Sequence, residues 1–464
     1  MPTCAFVTLG CKINQYETQA VREEILALGY EEVPPRDAAD VYVVNACSVT
    51  QEAGSNSRRA VLRLARRNPA ARIVVMGCST PADRDQLREV PQVAVLVGNE
   101  EKGMVATFLV EGVRPGEFAG TARNRPLPRI RRRGDPWKGR DPMDLRITSF
   151  EGRVRAYLKV QDGCSSFCSY CIIPYLRGLS RSRPRREVLS EARRLAAADF
   201  REIVLTGIHL QDYGGDLDPP SSLLDLLSDL ADLAREAGLW RIRLSSIGER
   251  SFTPEMIDLL SEDVFCPHWH IPLQSGDDRV LGLMRRDYRR GDFMDTVALL
   301  GERFDRPAIT TDVIVGHPGE TADAFENTLD LCRRSGFAKI HIFPFSAREG
   351  TRSARLADQV PPAEIGRRAR RLAELESELG AAYRRQFIGE EVEVLVEGAR
   401  DGERDFAAGM TERSLRVKFR SFDPLSLRNT RQRVQVDDIG PGLAIGRLLE
   451  DPEGVEVGGG LSRV

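Results

Sequence analysis

Three cysteines stand close together in Asp162-Gly163-Cys164-Ser165-Ser166-Phe167-Cys168-Ser169-Tyr170-Cys171, a Cys-x3-Cys-x2-Cys loop. A structural zinc site normally takes four ligands in tetrahedral array, so three thiolates leave it one short. A cubane iron–sulfur cluster is held by cysteine thiolates, and one iron left without a protein ligand stays open to a small chelating molecule. The other reading of the loop is a zinc knuckle completed by Cys266 or His268. Three more cysteines, Cys11, Cys47 and Cys78, are far apart in sequence, and each follows a short apolar run. Cys4 and Cys332 read as small buried core residues.

The elements that must position these thiols follow from hydrophobic pattern. Short apolar runs near Ala5 to Leu9, Val41 to Asn45, Arg72 to Met76 and Val93 to Val97 alternate with helical spacing over Asn14 to Leu28 and Gln51 to Arg67, which predicts a doubly wound α/β sheet. Cys11, Cys47 and Cys78 each lie one or two residues past a predicted parallel strand. The carboxyl ends of such strands share one edge, so these cysteines can converge there and hold a second cluster; the alternative is three separate core residues. The Cys-x3-Cys-x2-Cys loop follows the first of six further strand candidates, Val154 to Val160, Glu202 to Thr206, Arg241 to Ser245, His268 to Leu273, Ile309 to Val315 and Lys339 to Phe343. Helical stretches such as Ser222 to Ala237, Ala322 to Ser335 and Ala363 to Gln386 follow strands of this series, predicting a full or partial barrel with chemistry at its strand carboxyl ends.

Between these units, Glu111 to Asp144 loses periodicity, is punctuated by Gly and Pro, and carries a basic run that includes Arg123, Arg125, Arg131 and Arg132. It reads as a linker, either a solvated connector or an RNA contact. After residue 386, short β-like runs at Val392 to Glu397, Ser414 to Phe419, Val434 to Val436 and Gly442 to Leu449 predict a small all-β barrel. Arg413, Arg416, Lys418 and Arg420 give it a basic stretch suited to RNA or simply to solvent. The chain thus divides into 1–110, a linker over 111–149, 150–386 and 387–452.

Composition sets the outer bounds. The 464 residues suggest about three domains, and 40 Gly with 26 Pro fall below the disordered range. A net charge of −2 leaves nucleic acid to local patches. No run approaches the roughly 18 apolar residues of a membrane span, and the first ten residues lack a signal-peptide pattern, so no membrane partner and a cytoplasmic location are expected. Nine cysteines, an odd number in a long chain, point to a reducing compartment rather than a disulfide framework.

The Cys164, Cys168 and Cys171 spacing, with an aromatic residue before the last cysteine, resembles the radical S-adenosylmethionine (SAM) superfamily. Thr8-Leu9-Gly10-Cys11-Lys12-Ile13-Asn14-Gln15-Tyr16-Glu17-Thr18, Asn45-Ala46-Cys47-Ser48-Val49 and Gly77-Cys78 resemble the three auxiliary-cluster motifs of its methylthiotransferase family. The resemblance spans essentially the whole chain. It implies an N-terminal domain with an auxiliary 4Fe-4S cluster on Cys11, Cys47 and Cys78, a partial (β/α) radical SAM barrel with a second 4Fe-4S cluster on Cys164, Cys168 and Cys171, and a C-terminal TRAM domain that binds RNA. Asn14 to Thr18, Gly207-Ile208-His209-Leu210 with Tyr213-Gly214, and His270 to Gly276 are similar to the branch that methylthiolates C2 of N6-threonylcarbamoyladenosine next to the anticodon of tRNA. The family's other readings are action on N6-isopentenyladenosine, or here a noncatalytic iron–sulfur RNA-binding protein. Ser79-Thr80, Ser246-Ile247-Gly248-Glu249 and His317 depart from the usual pattern.

In that family the open iron binds the amino and carboxylate groups of SAM, and one-electron cleavage of the sulfonium yields a deoxyadenosyl radical, chemistry that belongs to the cofactor. The resemblance further implies the anticodon arm of tRNA as partner, an electron donor such as flavodoxin or ferredoxin, and a sulfur donor. Strand-end residues Thr206, Gly207, Ser245, Ser246, Gln274, Ser275 and Gly316, with Tyr170, are expected to build the SAM pocket. No histidine is assigned a catalytic role, because radical chemistry needs no strong general base.

Overall fold

A computed structural model of the chain describes residues 1–79, 81–110, 142–399 and 405–449. Arg123, Arg125, Arg131 and Arg132 lie outside them. The N-terminal strands β1 (Thr3–Thr8), β2 (Glu31–Glu32), β3 (Val41–Ala46), β4 (Arg72–Gly77) and β5 (Val93–Leu96) form a wholly parallel sheet in the order β2-β1-β3-β4-β5. Alternation puts Ala5, Tyr42, Val44, Ile73 and Val75 on one face, beneath Val61 and Leu64 of α2 (Gln51–Arg67). Cys4, Phe6, Val43, Val74 and Met76 face Val21 and Ile25 of α1 (Lys12–Ala27) on the other. Burial on both faces explains why these strands read as continuous apolar runs. Helices α3 (Pro81–Arg88) and α4 (Val105–Val110) complete the layers.

Leu145 and Ile147, which composition put in the linker, are fully buried in the next core, where Tyr16 and Ala20 of α1 join them. That core belongs to six parallel strands, β6 (Arg155–Lys159), β9 (Glu202–Thr206), β10 (Arg241–Leu244), β11 (His268–His270), β12 (Ala308–Val315) and β13 (Lys339–Pro344). Two ladders, β6-β9-β10 and β11-β12-β13, are joined by single parallel bridges Ile242 to Phe265 and Ser246 to His270. Among the described residues no ladder returns from β13 to β6, so the barrel is partial. A small antiparallel pair, β7 (Gln161–Asp162) with β8 (Arg181–Ser182), follows β6 and brackets α5 (Ile173–Arg177). Helices α6 (Arg185–Ala197), α7 (Leu223–Ala237), α8 (Pro254–Leu260), α9 (Asp278–Met284), α10 (Arg290–Arg303), α11 (Ala322–Ser335) and α12 (Pro362–Arg385) wrap the outside. Among the described residues none is long and apolar enough to cross a membrane.

The C-terminal strands β14 (Glu391–Gly398), β15 (Phe406–Met410), β16 (Arg416–Arg420), β17 (Arg431–Gly440) and β18 (Leu443–Leu448) close into a barrel in the order β14-β15-β16-β18-β17. Its core of Val394, Val396, Val417, Phe419, Val434 and Val436 is capped by Tyr383 of α12 and by Phe387. It docks where Arg241 and Arg243 of β10 donate to the carbonyls of Glu393 and Thr411, each at 3.0 Å. Beyond that basic stretch, two further cations of the barrel are offset by the neighbouring strand, because Glu391 pairs with Arg433 and Glu393 with Arg431.

Candidate active site

Cys11, Cys47 and Cys78 leave the carboxyl ends of β1, β3 and β4, which are adjacent in the sheet. The chain runs outward in opposite directions from β1 and β3, and ligands bind at such a switch point. Two glycines permit the approach. At Gly10, φ is +98° and a Cβ would lie 2.8 Å from Cys47 Cβ, while at Gly77, φ is +114° and a Cβ would lie 2.4 Å from the Ala46 carbonyl. Ser57 Oγ accepts from the Cys47 amide at 3.1 Å, and Asn99 Nδ2 donates to Cys78 Sγ at 3.2 Å. Cys47 and Cys78 are buried and Cys11 is exposed. Burial pushes the Cys47 thiol up to about 11, with Cys78 and Cys11 adding to the rise.

The second triad hangs from β6. Cys164 donates its amide to Gly178 O at 3.1 Å, which ties the loop to the end of α5, and Cys171 donates to Cys168 O at 3.0 Å. Ser169 anchors the loop to the barrel, its amide on Met284 O at 3.0 Å and its hydroxyl on Leu283 O at 2.8 Å. Arg286 Nη1 donates to Cys168 Sγ at 3.3 Å. Burial raises the Cys164 thiol and pushes Cys171 up to about 12. Thiols held neutral in this way give up their protons to a metal, so loading of the site releases protons.

The donor set tests what each triad fits. Each triad offers three free thiols, whereas the group of His, Cys, Asp or Glu found among the described residues to suit a single ion is His270, Asp312 and His341. Three soft thiolates are one ligand short of a closed zinc site and fit a cubane iron–sulfur cluster with one iron left open. Cys266, a proposed zinc partner, is buried at the amino end of β11, away from the strand ends that carry the loop.

The two triads are neighbours. Cys78 packs in one apolar cluster with Ile172, the residue after Cys171, and Leu176. A cavity of about 200 Å³ between them is lined by Val49 and Thr50, just past Cys47, and by Tyr170, Cys171, Gln274 and Asp312. Ser245 lines a second cavity below, and Ser246 bridges to His270. Thr206 Oγ1 and Ser245 Oγ are buried and without a hydrogen-bond partner, whereas Ser275 Oγ faces Thr328 of α11 at 3.5 Å. Gly207 packs on Leu210 and Gln161, and Gly316 packs on Ile365 of α12 and donates to Glu320 at 2.8 Å. Tyr170 and Gln274 are thus gathered beside Cys171, while Ser275 and Gly316 serve packing. Arg413 and Arg416 line the lower cavity, Lys418 lies over the Phe406 ring at 4.3 Å, and Arg420 is exposed.

The radical SAM superfamily profile matches residues 158–332, and that of uncharacterized protein family UPF0004 matches residues 3–98. The chain is 37% identical over 428 residues to the threonylcarbamoyladenosine tRNA methylthiotransferase MtaB of Bacillus subtilis (strain 168), covering 92% of each. It belongs to the radical SAM methylthiotransferases. The MtaB of Chlamydia pneumoniae is 40% identical over 85% of this chain and 87% of its own. The tRNA-2-methylthio-N(6)-dimethylallyladenosine synthase of Bacillus subtilis (strain 168) is 32% identical over 89% and 79%. In fold alone, the chain is similar to the radical S-adenosylmethionine methyltransferase TsrM of Kitasatospora setae, with a TM-score of 0.51 at 17% identity over 74% of this chain and 72% of that one.

Sequence reasoning missed the groups that bind this methylthiotransferase's two triads together. Glu17 of α1 and Asp162 of β7 face Arg177, Lys159 and Lys102, all buried. Arg177 Nη2 also donates to Asn14 Oδ1 at 2.7 Å, and Asn14 Nδ2 donates to Leu9 O and Ala46 O at the ends of β1 and β3. Of the arginines that follow the cysteine loop, Arg177 and Arg183 are internal, the latter paired with Glu191 at 2.6 Å. Asn99 and Arg286, the donors to Cys78 and Cys168, had no signal in local sequence.

His317, a departure from the family pattern, is fully buried. Its Nδ1 lies 2.9 Å from the Pro318 carbonyl, an acceptor only, so that nitrogen carries the proton, and Nε2 lies 2.8 Å from the Ser353 hydroxyl oxygen. Ser353 in turn bonds Ser169 of the cysteine loop at 2.7 Å. Burial pushes the ring down to about 4. Between about pH 6.5 and that value the unfolded chain binds a proton that the folded site does not, so stability rises with pH across this window. His317→Phe is expected to remove that part of the slope, read by denaturant unfolding at a series of pH values; an unchanged slope would mean that the ring does not titrate as placed.

Proposed function

We propose that this chain inserts a methylthio group at C2 of N6-threonylcarbamoyladenosine, on the 3′ side of the anticodon of tRNA, with Cys11, Cys47 and Cys78 holding an auxiliary 4Fe-4S cluster and Cys164, Cys168 and Cys171 a SAM-binding one. The observation that carries it is the packing of Cys78 against Ile172, which sets the two triads side by side, next to a cavity lined by Cys171 and by Val49 and Thr50 just past Cys47. Such clusters with SAM supply one-electron activation of an inert C–H bond and the sulfur that is transferred.

The chain's own residues do the rest. Six thiols bind iron; Asn99 and Arg286 hydrogen-bond to one ligand sulfur in each triad, a contact that orients the ligand and tunes the site. The apolar Ile172 and Leu176 exclude water between the triads. Residues 1–110 would present the auxiliary site and 150–386 the radical site, while the barrel at 387–452 would hold the anticodon arm, with Lys418 and Arg420 on phosphates and Arg413 and Arg416 nearer the base. The target base has to leave its stack, which a loop permits more easily than a duplex. An electron donor such as flavodoxin or ferredoxin, and a sulfur donor, belong to the same reading.

The test is nucleoside mass analysis after anaerobic turnover on tRNA carrying either modification. A methylthio group on N6-threonylcarbamoyladenosine and none on N6-dimethylallyladenosine is expected. The reverse would move the enzyme to the other branch, and tRNA binding without SAM cleavage would make it a noncatalytic RNA-binding protein.

A further inference from the structure

A cavity of about 460 Å³ lies where the lower barrel, the C-terminal β-barrel and the start of α1 meet, large enough for a base with its substituent. Its wall is rich in cations, and most of them are spoken for. Arg155 pairs with Glu397, and Arg243 Nε lies 2.7 Å from Glu202. Lys339 Nζ lies 2.7 Å from Glu376, and Arg413 lies 3.5 Å from Asp305. Lys12, Arg384 and Arg416 also line it, and they make no ion pair among the described residues. Arg384 Nε is buried without any partner. The carboxylates at hand are taken, Glu376 by Lys339 and Asp312 by His270 at 3.2 Å.

Three cations from α1, α12 and β16 that make no ion pair among the described residues therefore converge on this cavity, whose lining carboxylate Glu376 is already paired with Lys339. Like charges crowded around one cavity disfavour one another, and an anionic ligand placed among them relieves it with charge-assisted hydrogen bonds. The same excess opposes a divalent cation at His270, Asp312 and His341.

We propose that this cavity is an anion-binding subsite, with Lys12 and Arg416 as its specificity-determining residues, and that its ligand is the carboxylate carried by the N6 substituent of the target base. The inference rests on the substrate proposed above. Position favours the base over the RNA backbone: Lys12 directly follows Cys11, and Asp312, which lines the upper cavity beside Cys171, is bonded to His270 in the wall of the lower one. A base whose C2 faces the triads could extend its N6 substituent into the lower cavity. A dimethylallyl group, a neutral hydrocarbon, would leave all three cations unanswered.

The experiment measures binding of anticodon-arm RNA to the anaerobically reconstituted full chain by fluorescence anisotropy. Three RNAs are compared, with threonylcarbamoyl, its methyl ester, or no group on the adenine N6. Wild type is expected to bind the free acid about tenfold or more tightly than the ester, the scale of one charge-assisted hydrogen bond. Lys12→Met and, separately, Arg416→Met should each cut that preference, and Lys12→Arg should restore it, with iron content checking that each variant is folded. A loss equal for all three RNAs would assign these cations to phosphates and overturn the carboxylate subsite. So would an unchanged preference in both methionine variants. If wild type instead shows no preference for the acid yet methylthiolates a dimethylallyl substrate, the branch assignment fails, an outcome distinct from failure of the subsite alone.

Discussion

A Cys47→Ala variant, reconstituted without oxygen, is expected to hold about four irons where the wild type holds about eight, to go on cleaving SAM reductively, and to form no methylthio nucleoside. The argument is spatial. Cys47 sits at the end of β3 and takes its backbone support from Ser57 of α2, so its loss leaves the Cys164 to Cys171 loop and its anchors at Gly178 and Met284 untouched. Changing Cys164, Cys168 and Cys171 together to Ala should remove the other four irons and abolish SAM cleavage. Because the two triads meet at Cys78 and Ile172, some loss of stability in either variant is expected, and iron counting separates it from loss of a cluster. A wild-type content of about four that falls to none in the triple variant would overturn the two-cluster assignment.

What could be read from the chain was whatever repeats locally. The apolar runs of β3 and β4 are buried on both faces, and their ends fix where Cys47 and Cys78 emerge. The convergence of three distant cysteines followed from one rule about parallel sheets. Strand β2 is two glutamates at a sheet edge, and β15 is Phe406-Ala407-Ala408-Gly409-Met410, whose Ala and Gly are poor strand formers, so neither carried a period-2 signal. The reading of the C-terminal barrel as basic left out the acidic partners of Arg431 and Arg433, because Glu391 and Glu393 come from β14, paired with β17 only on folding. The cations left unpaired in the lower cavity were hidden for the same reason. Pairing across 85, 142 or 160 residues, as at Glu17, leaves no trace in spacing.

Glu17→Gln is expected to show what that buried network does. Burial alone would raise the Glu17 carboxyl, but Arg177, Lys102 and Lys159 beside it outweigh burial and hold it well below the usual range. Asp162 is depressed in the same way, chiefly by Arg177 and Lys159. Neutralising Glu17 leaves one carboxylate against three buried cations, and breaking such a group costs about 3–5 kcal/mol. For a unit of this size that is a fall of roughly 6–20 °C in apparent Tm. Carboxyls depressed on folding contribute stability that is complete above their unfolded value of about 4.3 and is lost as pH falls further, so the acid-side slope should be shallower in the variant. The functional effect follows from what the network joins. Glu17 belongs to α1, Asp162 stands two residues before Cys164, and Arg177 reaches Asn14, which ties the strand ends below Cys11 and Cys47. Loosening it should reduce methylthio product far more than SAM cleavage, since cleavage needs only the loop while transfer needs both triads in register. Equal loss of both activities would mean that the network only stabilises the fold.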